Sequence, residues 1–253
     1  MASINAAPGI HPEAAAGTAS SRLLRNTRGI IFDFDGTLFD NAFIPFWLIA
    51  ACPPDILRVL RERLIRKRFA GRDYSSPENY YRAFFAAYGK ACRCPPLRMR
   101  DWYFNRYMPR MIRVLKRNYK PRPGAMELFR HFDVSQAIRV AVYSDYPLLK
   151  ERLEALGLSP GPGILLYGPE SFGAQKPAAR PFLRIAGDLG AAPEEVLVIG
   201  DRKETDGLGA LNAGMRFFFL DPCRQPVKEE SRGPSPAMHA GAWDDLVKLL
   251  LEN

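Results

Sequence analysis

The chain has 253 residues and little of what most metal and disulfide chemistry uses. Its 4 cysteines are Cys52, Cys92, Cys94 and Cys223, and none pairs in a C-x-x-C element. That argues against a zinc site and against a secreted disulfide framework, and it points to a reducing, cytoplasmic setting. Only 3 histidines occur, His11, His131 and His239, and no H-E-x-x-H, so a zincin mechanism has no residues to work with. No G-x-S-x-G is present. GPESFGAQK (168–176) has glycines followed by a lysine, but the lysine comes too late for a P-loop and no Ser or Thr follows it. GLGALNAG (207–214) misplaces the third glycine of a dinucleotide loop. Long apolar runs are missing too. The stretch from Ala42 to Cys52 contains Pro45, is followed by Pro53 and Pro54, and falls short of the roughly 18 residues of a spanning helix. No transmembrane segment is expected.

What is present is ordinary globular material. Apolar residues make up 47% and charged residues 25%, and the length suits one α/β core with a smaller inserted domain. The net charge of +9 favours anionic ligands. Residues 1–27 are rich in Ala, Ser, Gly and Pro without a sustained period, and read as a flexible tail. The tail is poor in acids and, with Arg28 beyond it, carries Arg22 and Arg25, weakly like an organelle transit peptide. It lacks the apolar core of a secretory one.

Strands and helices then alternate. GIIFDFDG (29–36) is a short apolar run that ends abruptly in acids and glycine, the mark of a buried parallel strand with polar residues at its carboxyl end. IRVAVYSD (138–145), GILLYG (163–168), EVLVIGD (195–201) and RFFFLD (216–221) read likewise, the last as the final strand. Helices are predicted at 121–132, 146–158, 176–190, 207–214 and 243–253. The stretch from Asn41 to Lys120 has no strand pattern. DILRVLRERLIRKRF (55–69) sets Ile56, Leu60 and Leu64 at helical spacing among arginines. PENYYRAFFAAYG (77–89) starts with Pro and ends with Gly, both helix signals. Met99 to Tyr119 is helical in pattern and should kink or split at Pro109. The fold class expected is α/β: a doubly wound parallel sheet, residues 28–40 and 121–253, with an all-helical insert over 41–120.

In such a sheet ligands bind at the carboxyl ends of the strands. The acids collect there: Asp33 and Asp35, Asp145 beside Ser144, and Asp201 with Asp206 nearby. Carboxylates crowded at one edge repel one another and need a cation, and hard oxygen ligands suit Mg²⁺. Lys176 can offset a carboxylate or a bound phosphate, and Ser144 can donate to a phosphate oxygen. Nucleophile, metal, cation and hydroxyl donors are the parts of a phosphoryl-transfer site.

These residues resemble the haloacid dehalogenase (HAD) superfamily. FDFDGTLFD resembles its D-x-D-G-T motif, VAVYSD its second motif, Lys176 in AQKP its third, and VIGDRKETD its fourth, in the family's order from Gly29 onward. The interval from Asp201 to Asp206 is one residue longer than the commonest family form. The resemblance implies a Rossmann-like core with a type 1 (C1) helical cap, and a phosphatase that passes through an aspartyl-phosphate. Asp33 would attack phosphorus. Asp35 would protonate the leaving oxygen and then deprotonate water. Mg²⁺ would be held by Asp33, the backbone carbonyl of Asp35, and Asp201. Thr37, Ser144 and Lys176 would hold the phosphoryl group, with backbone N–H groups around Phe34 and Gly36, and Asp206 would support Lys176 or a metal-bound water. An acid at position 35 favours phosphate monoesters over halides, hence a small phosphorylated metabolite as substrate. The alternatives are a phosphomutase of the same superfamily and a non-catalytic scaffold that binds through its basic cap. Nucleic acid is a disfavoured partner. The basic, amphipathic helix over 55–69 allows a weak contact with an anionic membrane surface.

Overall fold

A computed structural model describes residues 23–135, 137–221, 228–229 and 238–252. The expected tail lies outside the described residues up to position 22, as do His11 and Cys223. Its last residues depart from the expectation. Leu23 and Thr27 are buried, and Arg216 holds this stretch by donating to the Leu23 carbonyl at 2.9 Å and to Thr27 Oγ1 at 2.8 Å. Composition could not reveal an arginine distant in sequence that holds these groups.

The sheet runs β3-β2-β1-β4-β5-β7-β6. Its strands are β1 (Gly29–Asp33), β2 (Arg139–Tyr143), β3 (Ile164–Tyr167), β4 (Val196–Gly200), β5 (Arg216–Leu220), β6 (Lys228–Glu229) and β7 (Met238–Gly241). Six are parallel and β6 pairs antiparallel to β7. The sheet thus extends past the strand expected to be last. MHAG has neither alternation nor a β-branched run to announce it.

Alternation along each strand builds two cores. Ile30, Phe32, Val140, Val142, Leu197 and Ile199 face one side, against α6 (Ala125–Ser135), α7 (Leu149–Leu156) and α11 (Trp243–Leu251). Ile31, Ala141, Tyr143, Val196 and Val198 face the other, against α9 (Ala179–Asp188) and α10 (Leu208–Asn212). A short α8 (Pro169–Phe172) precedes the loop that carries Lys176. Helices on both faces leave the carboxyl edge open, and β1 lies between β2 and β4, where the chain's winding reverses.

All described elements between β1 and β2 up to Asn118 are helical: α1 (Ile44–Ala50), a short 3₁₀ turn, α2 (Ile56–Phe69), α3 (Pro77–Cys92), α4 (Pro96–Trp102) and α5 (Met108–Asn118). Ser76 caps α3 by accepting from the Asn79 amide at 3.2 Å. Helix α3 runs past the expected stop at Gly89, which is buried where the Cys94 carbonyl passes, 2.6 Å from where a Cβ would sit. A π-helical turn, Tyr103–Tyr107, joins α4 to α5 just before Pro109. The ring of Pro109 cannot fit a regular turn and brings no N–H, so a wider turn there keeps the helix continuous rather than broken.

One helix presents a different face from the one its apolar spacing suggests. In α2 the buried residues are Val59, Glu62, Ile65 and Phe69, while Ile56, Leu57, Leu60 and Leu64 are exposed. The deciding residue is charged. Glu62 is fully buried because Arg66, one turn on, pairs with it, and Arg66 also donates to Tyr103 Oη at 2.8 Å. A pattern of apolar residues cannot foresee a buried ion pair. Two neighbouring truncations test the orientation. Ile65→Ala should cost about 2–5 kcal/mol in urea unfolding, whereas Leu64→Ala should stay within about 0.5 kcal/mol. The reverse order would show that the other face is packed.

Candidate active site

β1 ends in Asp33, which is buried. The chain then turns sharply through Gly36, whose φ of +95° suits glycine. A Cβ at Gly36 would also lie 2.1 Å from Asp201 Oδ2, so the loop must lack a side chain there. Arg122 pins this loop by donating to the carbonyls of Thr37 at 3.0 Å and Gly36 at 2.9 Å. Thr37 Oγ1 donates to Asp33 Oδ2 at 2.9 Å. Asp201 follows β4 at the same edge.

Lys176, buried, joins the two sides. Its ammonium donates to Asp33 Oδ1 at 2.6 Å and to Asp206 Oδ1 at 2.8 Å, and it lies 4.8 Å from the centre of the Tyr143 ring. Asp145 accepts from the Lys176 backbone amide at 3.0 Å and so fixes the base of that side chain. Asp206 sits in a π-helical turn, Lys203–Gly207. The extra residue between Asp201 and Asp206 is absorbed by this wider turn, and the carboxylate still reaches the lysine. Gly200 permits the approach, since a Cβ there would lie 2.5 Å from that of Asp206.

The charges do not balance. One carboxylate oxygen from each of Asp33, Asp201 and Asp206 lies within 4.8 Å of the others. Burial and the neighbouring Asp206 push Asp33 up from 3.8 to about 7. Burial and Asp33 push Asp201 up to about 7. Asp206 is raised as well, by burial against the pull of Lys176. Burial would lower Lys176, but Asp206, Asp33 and Asp145 outweigh it and raise that group instead. Asp201 Oδ1 is buried and accepts no hydrogen bond, with the Arg202 guanidinium 3.8 Å off. An excess of hard oxygen donors with one orphaned atom fits a divalent cation.

Asp35 is separate from this cluster. Its side chain, half-buried, has other partners: Arg152 pairs with Oδ1, and Ser144 Oγ donates to Oδ2 at 3.0 Å. The two aspartates of one loop thus have different partners. Ser144, expected at the phosphoryl group, here gives its hydroxyl proton to Asp35. The Phe34 side chain is buried, and its ring lies under the Arg152 guanidinium at 4.5 Å. Above the aspartates opens a cavity of about 280 Å³, lined by Asp33, Asp35, Tyr146 and Arg202 and, from α2, by Arg63, Arg66 and Lys67.

A family model described as haloacid dehalogenase-like hydrolase matches residues 27–214. The chain belongs to the haloacid dehalogenase-like hydrolases. It is 28% identical over 181 residues to a phosphoglycolate phosphatase of Aquifex aeolicus, covering 69% of this chain and 76% of that one. It is 28% identical over 141 residues to the bovine haloacid dehalogenase-like hydrolase domain-containing protein 2, covering 51% of this chain and 54% of the bovine protein, about half its length. Among solved structures, 2-haloacid dehalogenase of Pseudomonas syringae shares the fold, with a TM-score of 0.59 and 18% identity over 89% of this chain and 98% of that one.

Within this HAD hydrolase, three site residues carry no motif signal. Arg152 lies on α7, eight positions past Ser144; Arg122 stands in the turn before α6; Arg66 reaches from α2 to the Asp145 carbonyl at 2.6 Å. Each is an arginine in a sequence that has many, and only the folded contacts single it out. Among the described residues no helix is long and apolar enough to cross a membrane.

The raised carboxylates have a pH consequence. A carboxyl raised on folding binds protons that the unfolded chain has released. The metal-free fold therefore has its largest contribution from Asp33 and Asp201 at low pH, and loses it as pH rises from about 4 through about 7. A divalent cation displaces those protons, so its affinity should climb between about pH 6 and about pH 8 with proton release. Calorimetry in buffers of different ionisation heat reads this directly. Binding without proton release would contradict the assignment of these carboxylates as ligands.

Proposed function

We propose that the chain is a magnesium-dependent phosphohydrolase that cleaves a phosphate monoester of a small metabolite through an aspartyl-phosphate on Asp33. The observation that carries this reading is the division of labour at the β1 loop. Asp33 is held among the metal-type carboxylates by Lys176 and Thr37, while Asp35 is held apart by Arg152 and Ser144. A halide leaves without a proton, so a dehalogenase has no use for the second acid. An alkoxide leaving from phosphorus needs one. The phosphoglycolate phosphatase relative supports the same choice.

Asp33, Asp201 and Asp206, with the backbone of Asp35, would hold the ion. Mg²⁺ would supply charge to offset the meeting of an anionic nucleophile and an anionic ester. The protein's residues do the rest. Asp33 attacks phosphorus, with Thr37 donating to one of its oxygens and Lys176 to the other. Lys176, between Asp33 and Asp206, supplies the fixed cation beside the phosphoryl oxygens. Asp35 gives a proton to the leaving oxygen, then takes one from the water that cleaves the acyl phosphate.

The helical segment over 41–120 acts in this reading as a cap that sets substrate choice. It holds half of the chain's 36 Lys and Arg but only five of its 27 Asp and Glu. Arg66 is engaged by Glu62, Tyr103 and the Asp145 carbonyl. Arg63 and Lys67 are exposed at the cavity and suit a second anionic group on the substrate.

A hydrolysis screen over phosphorylated metabolites and p-nitrophenyl phosphate tests the reading. Turnover should vanish in chelator and return with Mg²⁺; undiminished turnover in chelator would sink the metal assignment. Arg63→Ala and Lys67→Ala should each raise KM about tenfold for a substrate with a second anionic group, the scale of one lost charged hydrogen bond. KM for p-nitrophenyl phosphate should hardly move. Equal loss of kcat on every substrate would show instead that these residues act in the chemistry.

A further inference from the structure

Arg152 is fully buried, a placement that costs several kcal/mol for a charged group without good partners. All its hydrogen bonds lie at the candidate site. One terminal nitrogen pairs with Asp35 Oδ1; the other donates to Ser144 Oγ at 2.8 Å and to the Tyr146 carbonyl at 3.4 Å. Its Nε is buried without a partner. The guanidinium lies over two rings, 4.5 Å from the centre of Phe34 and 5.3 Å from that of Tyr146. Phe34 stands in sequence between the two aspartates, so Arg152 grips the β1 loop by a ring and by a carboxylate.

The hydrogen-bond count defines what is held. Ser144 Oγ already accepts from Arg152 and from the Tyr146 amide at 3.1 Å, so its single proton points to Asp35 Oδ2 at 3.0 Å. Both oxygens of Asp35 are thereby engaged, one by Arg152 and one by Ser144, and the group is fixed in place. The grip extends to the helical segment. Tyr146 is covered by the Arg66 guanidinium at 3.9 Å, and Arg66 also donates to the Asp145 carbonyl at 2.6 Å. Two arginines, one from α2 and one from α7, thus share Tyr146.

We propose that Arg152 is the positioning residue of Asp35, setting the place of its carboxyl for both proton transfers and tying that place to α2 through Tyr146. The proposal rests on the phosphohydrolase reading. In the first transfer the ester P–O bond breaks as an Asp33 oxygen bonds phosphorus, and Asp35 gives its proton to the departing oxygen. In the second, water bonds the phosphorus as the Asp33–phosphorus bond breaks, and the water's proton returns to Asp35. Arg152 is fully buried and acts through Asp35. It keeps one carboxyl in one pose through the cycle, which a flexible aspartate on a turning loop would not keep unaided.

The test compares the native chain, R152M, R152K, D35N and D35N/R152M on p-nitrophenyl phosphate and phenethyl phosphate. The value of kcat/KM reports phosphoryl transfer to Asp33, where only the poor alkoxide leaving group depends strongly on the acid. R152M should lose about a hundredfold on the alkyl ester and less than about tenfold on the aryl ester, with R152K between it and the native chain. In the D35N background R152M should remove nothing further from either ester, because both changes delete one function. Equal losses on the two esters, or a full additional loss on top of D35N, would overturn the proposal. If circular dichroism shows R152M unfolded, R152K decides by the same comparison: unequal losses support positioning and equal losses refute it. A native chain inactive on both esters would overturn the phosphohydrolase reading itself, a result distinct from any pattern among active variants.

Discussion

Lys176 holds two buried aspartates that would otherwise repel each other, and the architecture of the site follows from that contact. Asp33 comes from the end of β1 and Asp206 from a turn after β4, two neighbouring strands whose ends converge by the logic of a parallel sheet. One ammonium cannot neutralise three carboxylates. Burial first, and the neighbouring carboxylates second, push Asp33 and Asp201 up to about 7, and Asp201 Oδ1 is left without a hydrogen-bond partner. The protein has assembled negative charge in a place that favours protons or a divalent cation. The glycines follow from the same crowding: Gly36 and Gly200 stand where a Cβ would overlap Asp201 and Asp206.

A second charge pair, Asp35 with Arg152, lies close to the first without merging with it. Two identical side chains two positions apart acquire different chemistry from their surroundings alone. Asp33 meets an ammonium and a threonine hydroxyl beside other acids; Asp35 meets a guanidinium and a serine hydroxyl against aromatic rings. Both carboxyls line one cavity, and what separates them is the set of partners each meets there. The helical segment joins through Arg66, whose contacts run from the buried Glu62 to Tyr146 and the Asp145 carbonyl. The charge distribution over the molecule fits this arrangement, with the basic helical segment standing over an acidic sheet edge.

Much of the sheet was legible in the sequence because buried parallel strands announce themselves: five apolar runs, several ending in acids, gave β1 to β5, and the acids fell at one edge. β7 was not legible, since Met238–Gly241 has no pattern of its own and is a strand only because β5 offers it an edge. The π-helical turns hid for another reason. They absorb a proline in one case and an extra residue in the other, and both are accommodations a linear pattern does not show. The buried face of α2 departs from its apolar spacing because Arg66 pairs with the buried Glu62 inside. Arg152 and Arg122 were invisible as single arginines among many; their meaning is wholly in the partners that folding brings to them.

In the proposed mechanism Asp33, and not its neighbour Asp35, forms the covalent bond to phosphorus. Mass spectrometry of the protein quenched in acid during turnover of an aryl phosphate tests it directly. The expected result is a phosphoryl group on the peptide that carries Asp33, absent from D33N and retained or increased in D35N, where the water-activating base is gone. Phosphate on Asp35 itself, or on a serine or cysteine, during turnover of the native chain would contradict it.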